Sequence, residues 1–342
     1  MFKPQSGFTN SMFGAYAYDS IISRNQDHIL VKMDKLIDWS FVEEEVLDRY
    51  SEKGQNAIHP LRIFKLLVIQ HLYDLSEREV MLNADCNIIF RYFAGLGLAE
   101  DVPHWTELGK FKERIGIEAF ERLFFRVLDE AEHLGIRISG KRIADATDVA
   151  ANVDLKKCAK DKKDDDDHDY INRNTTDPDA RFGKKHAKKS WYGYKSHINE
   201  DAESELVMSV ITTDASLTDE SQLAPLIDKE RDWRGEDAIR QQGGDKGYVG
   251  HTEELAERKI LDYVIPRDNM KMAKAKKDKN THYLHLKYLR YKIEQKFSES
   301  KNRHGLYRAR HRGRWRVHLR NLIIYLTVNL KRIANLLIPK IA

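Results

Sequence analysis

The sequence predicts an α/β domain preceded by an all-α segment. Up to about Gly135, apolar residues recur at helical spacing and glycines interrupt the runs. From Arg137 the pattern changes to strand, strand, strand, helix, strand, helix, strand, helix, which is an α/β order. Apolar blocks at 63–69, 206–211 and 322–330 can fill a core in a chain of 342 residues that is 41% hydrophobic. With 33% charged residues the surface is heavily charged.

The first 58 residues are mixed, with one helix expected around 41–49. His59-Pro60 reads as a helix start with proline at the first position. Residues 61–73 are apolar nearly all round, as in a buried helix. Ser76 and Glu79 fit a capping box that opens a helix toward Asn83. Helices follow over 88–94, 106–115 and 117–133, with Gly95, Gly97 and Gly116 as breaks. Strands are expected over 137–149, 192–199 and 206–213, the last two joined by the polar turn 200–205. Thr218-Asp219 reads as the cap of a helix running toward Arg231. A weak strand is expected over 239–245, where Gln241, Gln242, Gly243 and Gly244 are poor strand formers. A helix over 252–259 and a short strand over 261–265, closed by Pro266, come next. One long helix over 284–302 and an apolar helix over 317–337 end the chain. Residues 156–190 are blocky in charge and poor in apolar side chains, and read as an inserted mobile loop. The domains expected are therefore 1–135, helical, and 136–342, α/β with the charged insertion and basic C-terminal helices.

The composition excludes several classes. The most apolar stretch carries Arg320, Lys331 and Arg332, so its uncharged run falls far short of the ~20 residues of a membrane span. Residues 1–25 lack a basic start followed by an apolar run, so no secretory signal is expected. Cys86 and Cys158 are too few for a disulfide framework, and a reducing cytoplasm is the default location. The net charge of +4 says little, but its distribution says more. Between Lys287 and Arg320 twelve Lys and Arg residues face only Glu294 and Glu299, with Tyr307, His311 and Trp315 interleaved. Such a segment favours a polyanion, nucleic acid first; a solvated or membrane-surface helix is the bland alternative.

Three acids stand out by their surroundings. Asp145 sits in an apolar strand, where an unpartnered carboxylate is costly. Asp148 is a rival, three residues on and so expected to point to the other face. Asp245 ends a strand at a glycine-rich turn, the edge where α/β sheets bind ligands; an ordinary turn aspartate is the alternative. Glu294 shares a helical stripe with Arg290 and Lys301, beside an apolar face of Leu286, Leu289, Ile293 and Phe297. Alone it would read as a surface ion pair. Together, two strand-borne Asp, a late helical Glu and a basic run are what two-metal phosphoryl transfer requires. Mg²⁺ or Mn²⁺ prefers such carboxylate oxygens.

This pattern resembles insertion-sequence transposases of the DDE type. Residues 59–61, 75–79 and 93–96 resemble that family's helical N-terminal domain. Ile143-Ala144-Asp145-Ala146-Thr147 resembles its first-aspartate strand, although the family often has Asp-Gly-Thr there. Asp177-Pro178-Asp179-Ala180 and Tyr192-Gly193-Tyr194-Lys195-Ser196-His197 resemble the segment before its next strands. Gly244-Asp245-Lys246-Gly247-Tyr248 matches the second-aspartate motif, and Arg290, Glu294 and Lys301 match Arg-x3-Glu-x6-Lys. Where relatives place Tyr three residues before that Arg, this chain has Lys287, with Tyr288 one step off.

The resemblance implies an RNase H-like mixed sheet flanked by helices. It implies that Asp145, Asp245 and Glu294 hold two Mg²⁺ or Mn²⁺ ions and that Arg290 and Lys301 contact DNA phosphates. Lys195 and His197 are further candidates for DNA contact, with a polar face on an edge strand as the alternative. The implied activity is metal-dependent 3′-end cleavage and strand transfer on the element's terminal inverted repeats and target DNA. A homodimer in a synaptic complex, acting at the nucleoid, is implied as well. A catalytically inactive DNA-binding descendant and an RNase H-like nuclease without strand transfer remain alternatives.

Other signals are weaker. The run 164–167 of four aspartates reads as solvated rather than metal-binding. His282-x-x-His285 lacks a third ligand at zinc spacing. A helix-turn-helix could lie at 77–81 with a turn at 83–85, or at 106–114; purely structural helices explain both equally well.

Overall fold

The computed structural model describes residues 12–50, 57–158, 171–172, 175–186 and 189–337. The chain divides into two compact units. One takes the residues up to Ile136 and those from Leu326 on; the other is Arg137–Tyr325.

In the first unit, helices α1 (Met12–Arg24), α2 (Ile29–Leu36) and α3 (Ser40–Val46) precede α4 (Pro60–Leu72), which begins with its proline as expected. Phe64, Leu66, Leu67 and Val68 of α4 are buried. The Ser76–Glu79 capping box is formed and opens α5 (Glu77–Cys86). That helix runs on through 83–85, so the turn expected there is absent. The break falls at Asn87, whose side chain accepts from the Ile89 and Phe90 amides and caps α6 (Ile88–Ala94). The long helix α7 (Thr106–His133) is kinked at Gly116, at φ 75° and ψ 168°. Only glycine reaches that conformation cheaply, which is why the sequence breaks there.

The second unit is built on one mixed sheet of β1 (Lys141–Ala150), β2 (Arg181–His186), β3 (Lys189–Asp201), β4 (Val207–Asp214), β5 (Gln241–Gly244) and β6 (Leu261–Val264). Its path is β2-β3-β1-β5-β6, with β4 also paired to β3. β3 is antiparallel to β1, β2 and β4, whereas β1, β5 and β6 run parallel. Helices α8 (Leu223–Arg234), α9 (Thr252–Glu257), α10 (Lys271–Lys277), α11 (Thr281–Leu289), α12 (Tyr291–Arg303) and α13 (Arg314–Leu337) complete the unit, α13 continuing beyond it. Ala144 of β1 shares a core with Leu223, Leu226 and Ile227 of α8 and with Tyr248 and Ile260.

Two sequence expectations need correction. The stretch 156–190 is not wholly loop, because β2 pairs with β3 and packs Phe182 against Tyr192, ring centroids 4.9 Å apart and tilted by 59°. The aspartate run 164–167 lies outside the described residues. The expected single helix over 284–302 is two helices meeting at Arg290. Asn280 caps the first of them through the His282 and Tyr283 amides.

The polar strand β5 has a physical account. Gln242 is fully buried and exchanges hydrogen bonds of 3.1 and 3.0 Å with Asn199 on β3. A Cβ on Gly243 would lie 2.8 Å from Leu286 Cδ2, so glycine lets α11 close on the strand. Opposite Gln242 on β1, fully buried Arg142 grips Glu230 of α8 with two nitrogens and also pairs with Asp201 of β3. Such a buried cation is tolerable only because both acids neutralise it. Among the described residues no helix is long and apolar enough to cross a membrane.

Candidate active site

Strand register brings the first two acids together. β1 and β5 are parallel, with Ile143 opposite Gly243 and Ala144 opposite Gly244. One step further, Asp145 and Asp245 therefore sit side by side at the carboxyl end of β5. Neighbouring strands lie about 4.8 Å apart. Asp145 Oδ1 accepts the Ala146 amide at 2.8 Å, and Asp245 Oδ1 accepts the Gly247 amide at 2.8 Å.

Burial is the main reason that the Asp145 carboxyl is pushed up to about 7. Asp245 and Asp219 raise it further, while the Ala146 amide and Arg290 oppose the rise. A carboxyl so placed is held near neutrality until positive charge arrives.

Glu294 lies in the first turn of α12, where its Oε1 accepts Arg290 Nη2 at 2.6 Å. The same guanidinium reaches Asp245 Oδ2 at 3.9 Å. Arg290 thus bridges the second strand-borne acid and the helical one. Lys301 does not join them; its ammonium pairs with Asp148 at 3.0 Å. Lys195 donates to Leu217 O at 2.7 Å and to Asp219 Oδ1 at 2.9 Å. His197 is not on the DNA-facing surface expected of it. Its ring is fully buried, bonded to Thr213 Oγ1 at 3.0 Å, and burial pushes its pKa down to about 4. It is a neutral residue within the sheet, beside its register partner Ile211 of β4.

Sequence reasoning missed Asp219. It was read as a helix cap, yet its side chain makes no cap bond. The only signal available was an aspartate in the loop after β4. Pairing with Lys195, a strand position with no fixed sequence separation from that loop, could not be read from the chain.

Further along, the basic segment is fixed to the end of β1. Ala150 donates to Tyr307 O at 3.0 Å and accepts from Ala309 N at 2.8 Å. Asn152 Nδ2 donates to Arg310 O at 3.0 Å. Buried Asp177 accepts the Gly313 amide at 3.0 Å, and Asp179 accepts the Arg314 amide at 2.9 Å. These bonds leave Arg308, Arg312, Arg314 and Arg316 exposed beside Tyr307 and Trp315. The Arg316 guanidinium lies over the Trp315 ring at 4.9 Å.

A family described as Transposase DDE domain matches residues 140–330, and one described as Transposase domain (DUF772) matches 18–114. The chain belongs to the DDE transposase family. It is a DDE-type transposase, a polynucleotidyl transferase/nuclease, and its mixed sheet with flanking helices is the RNase H-like α/β fold. No solved structure matches the chain.

DDE transposases generally use divalent metal ions. The donor set of this transposase fits a hard cation in its chemistry, because Asp145, Asp245 and Glu294 offer only oxygens and Asp145 is desolvated. As they stand, no three His, Cys, Asp or Glu side chains among the described residues are gathered as a ready metal site. Glu294 is instead held by Arg290.

Proposed function

We propose that this transposase binds the terminal inverted repeats of an insertion sequence and catalyses 3′-end cleavage followed by strand transfer. Asp145, Asp245 and Glu294 are the catalytic carboxylates in this reading and would hold two Mg²⁺ or Mn²⁺ ions. When bound, such ions would supply positive charge at the phosphate oxygens undergoing displacement. The observation that carries the reading is the adjacency of Asp145 and Asp245 on parallel strands, with Arg290 spanning Asp245 and Glu294.

The side chains have distinct tasks. Arg290 offers a planar fork suited to a phosphate next to the carboxylates. Lys301 and Lys195 add positive charge along the same edge, and His197 supports β3 from within. In the first step a water oxygen attacks phosphorus and the 3′ oxygen leaves as a hydroxyl. In the second, that hydroxyl attacks a target phosphodiester and the displaced 3′ oxygen leaves. The strip Arg308, Arg312, Arg314 and Arg316, with Tyr307 and Trp315, is suited to backbone phosphates and base faces. Residues 1–135 are assigned to end recognition and assembly, 136–342 to catalysis. A homodimer that synapses two ends, acting at the nucleoid, completes the reading.

The test is cleavage of a labelled element end with Mg²⁺ or Mn²⁺, using Glu294→Gln. Loss of cleavage with DNA binding retained is expected. Cleavage at the wild-type rate would refute the assignment of Glu294. Products that end in hydrolysis even with target DNA present would favour a nuclease instead.

A further inference from the structure

Asp219 is the acid that neither the motif nor the expected cap explains. It occupies the N-cap position of the turn Glu220–Gln222, yet its carboxylate leaves the free amides alone. Capping aspartates ordinarily bond those amides. Here the side chain turns toward β3 and the strand-borne acids. Its Oδ2 comes within 3.7 Å of the point where a Cβ on Gly247 would stand, and Asp245 Oδ1 comes within 2.9 Å of that point. The two carboxylates thus converge over Gly247, and both add negative potential at Asp145.

Two buried polar atoms face this convergence without a hydrogen-bond partner among the described residues. His197 Nδ1, on a side chain with no exposure, lies 3.9 Å from Asp219 Oδ1. The hydroxyl of fully buried Tyr248 is unpartnered and feels the charges of Asp145, Asp219 and Asp245. A buried polar atom without a partner carries a desolvation cost that a ligand at this point would relieve. Like charges gathered in one place are unfavourable unless a cation joins them. Among the described residues, the ammonium that Asp219 meets is that of Lys195, anchored by the Leu217 carbonyl.

We propose that Asp219 is a fourth cation-facing carboxylate of the active site, a positioning residue whose charge Lys195 neutralises until a divalent ion enters. The proposal rests on the active-site reading above. Asp219 does not replace any of the three catalytic acids. It deepens the negative well in which they collect a cation, and Lys195 sets how deep that well is. A mere surface ion pair would leave cation binding indifferent to either partner.

The experiment is Mn²⁺ titration of the full-length chain without DNA, followed by electron paramagnetic resonance, with thermal melting to confirm folding. Asp219→Asn is expected to weaken Mn²⁺ binding at least about tenfold, the order expected when a unit charge near a divalent ion is lost. Lys195→Met is expected to shift it the opposite way, by a few-fold. Asp145→Asn serves as the control and should also weaken binding. If Asp219→Asn and Lys195→Met both bind like wild type while Asp145→Asn is impaired, Asp219 is only a counter-ion and the active-site reading stands. If Asp145→Asn also binds like wild type, both readings fail. Should Asp219→Asn not fold, a Lys195→Met affinity equal to or weaker than wild type overturns the proposal by itself.

Discussion

Replacing Glu200 by glutamine should stabilise this transposase at alkaline pH and leave it nearly unchanged in acid. Glu200 sits on β3 opposite Ile143, fully buried, and both its oxygens lack hydrogen-bond partners among the described residues. Burial pushes its carboxyl up to about 8; Lys296 and Lys292 oppose the rise, and Glu205 and Asp201 add to it. A carboxyl whose folded pKa is raised contributes stability that is fully present below its ordinary 4.5 and is lost as pH climbs toward 8. At about 1.4 kcal/mol per pH unit the whole window is worth ~5 kcal/mol. Relaxation and water entry in the folded state reduce the expected difference to about 2–3 kcal/mol. Glutamine keeps the shape of the protonated acid and removes the ionisation. Urea unfolding of both proteins at pH 5 and pH 9 measures the gap. A variant that gains nothing between those pH values, or loses stability at pH 9, would mean that Glu200 is ionised and held by Lys296, and the reasoning fails.

The other predictions concern packing, the buried clamp and the basic strip. Arg142→Met takes the guanidinium from buried Asp201 and leaves Glu230 with Arg234 at 3.8 Å, and should cost about 3–5 kcal/mol in chemical denaturation; a loss under 1 kcal/mol would disprove the clamp. Gly243→Ala drives a Cβ to 2.8 Å from Leu286 Cδ2 and should cost about 1–3 kcal/mol. Adding Leu286→Ala should recover part of that loss relative to Leu286→Ala alone, a coupling that a double-mutant cycle reads directly. Arg314→Ala and Arg316→Ala should weaken binding to DNA of any sequence and each lower the salt slope by about 1. An unchanged slope in fluorescence anisotropy would remove the strip from the interface.

Much of this arrangement is legible in the chain because it depends on local chemistry. Pro60, the Ser76–Glu79 box and Gly116 announced their helix boundaries, since caps and positive φ are decided within a few residues. Asp145 and Asp245 stood out by an apolar strand and a glycine-rich turn, and the parallel register of β1 and β5 sets them side by side. What stayed hidden depends on partners far apart in sequence. Strand β2 was read as loop because its pairing comes from Trp191 and Tyr192 of β3 rather than from its own charged residues. Gln242 looked wrong for a central strand until Asn199 appeared beside it.

Arg290, Lys301 and Lys195, the cations expected to meet DNA, are each matched to an acid: Glu294, Asp148 and Asp219 respectively. A sequence displays the types of charge but not their pairing. These pairs are partly exposed, Arg290–Glu294 the most, and an exposed pair is worth about 1 kcal/mol or less, so a phosphate can exchange for the carboxylate at modest cost. Each exchange would also free an acid for a cation. Cation and DNA phosphate should therefore favour one another at this edge, because each takes the partner that the other releases. Mn²⁺ affinity measured with and without an element end tests that linkage: tighter binding with DNA in wild type, and a smaller gain in Arg290→Ala, are expected. An equal gain in both proteins would show that the Arg290–Glu294 pair plays no part.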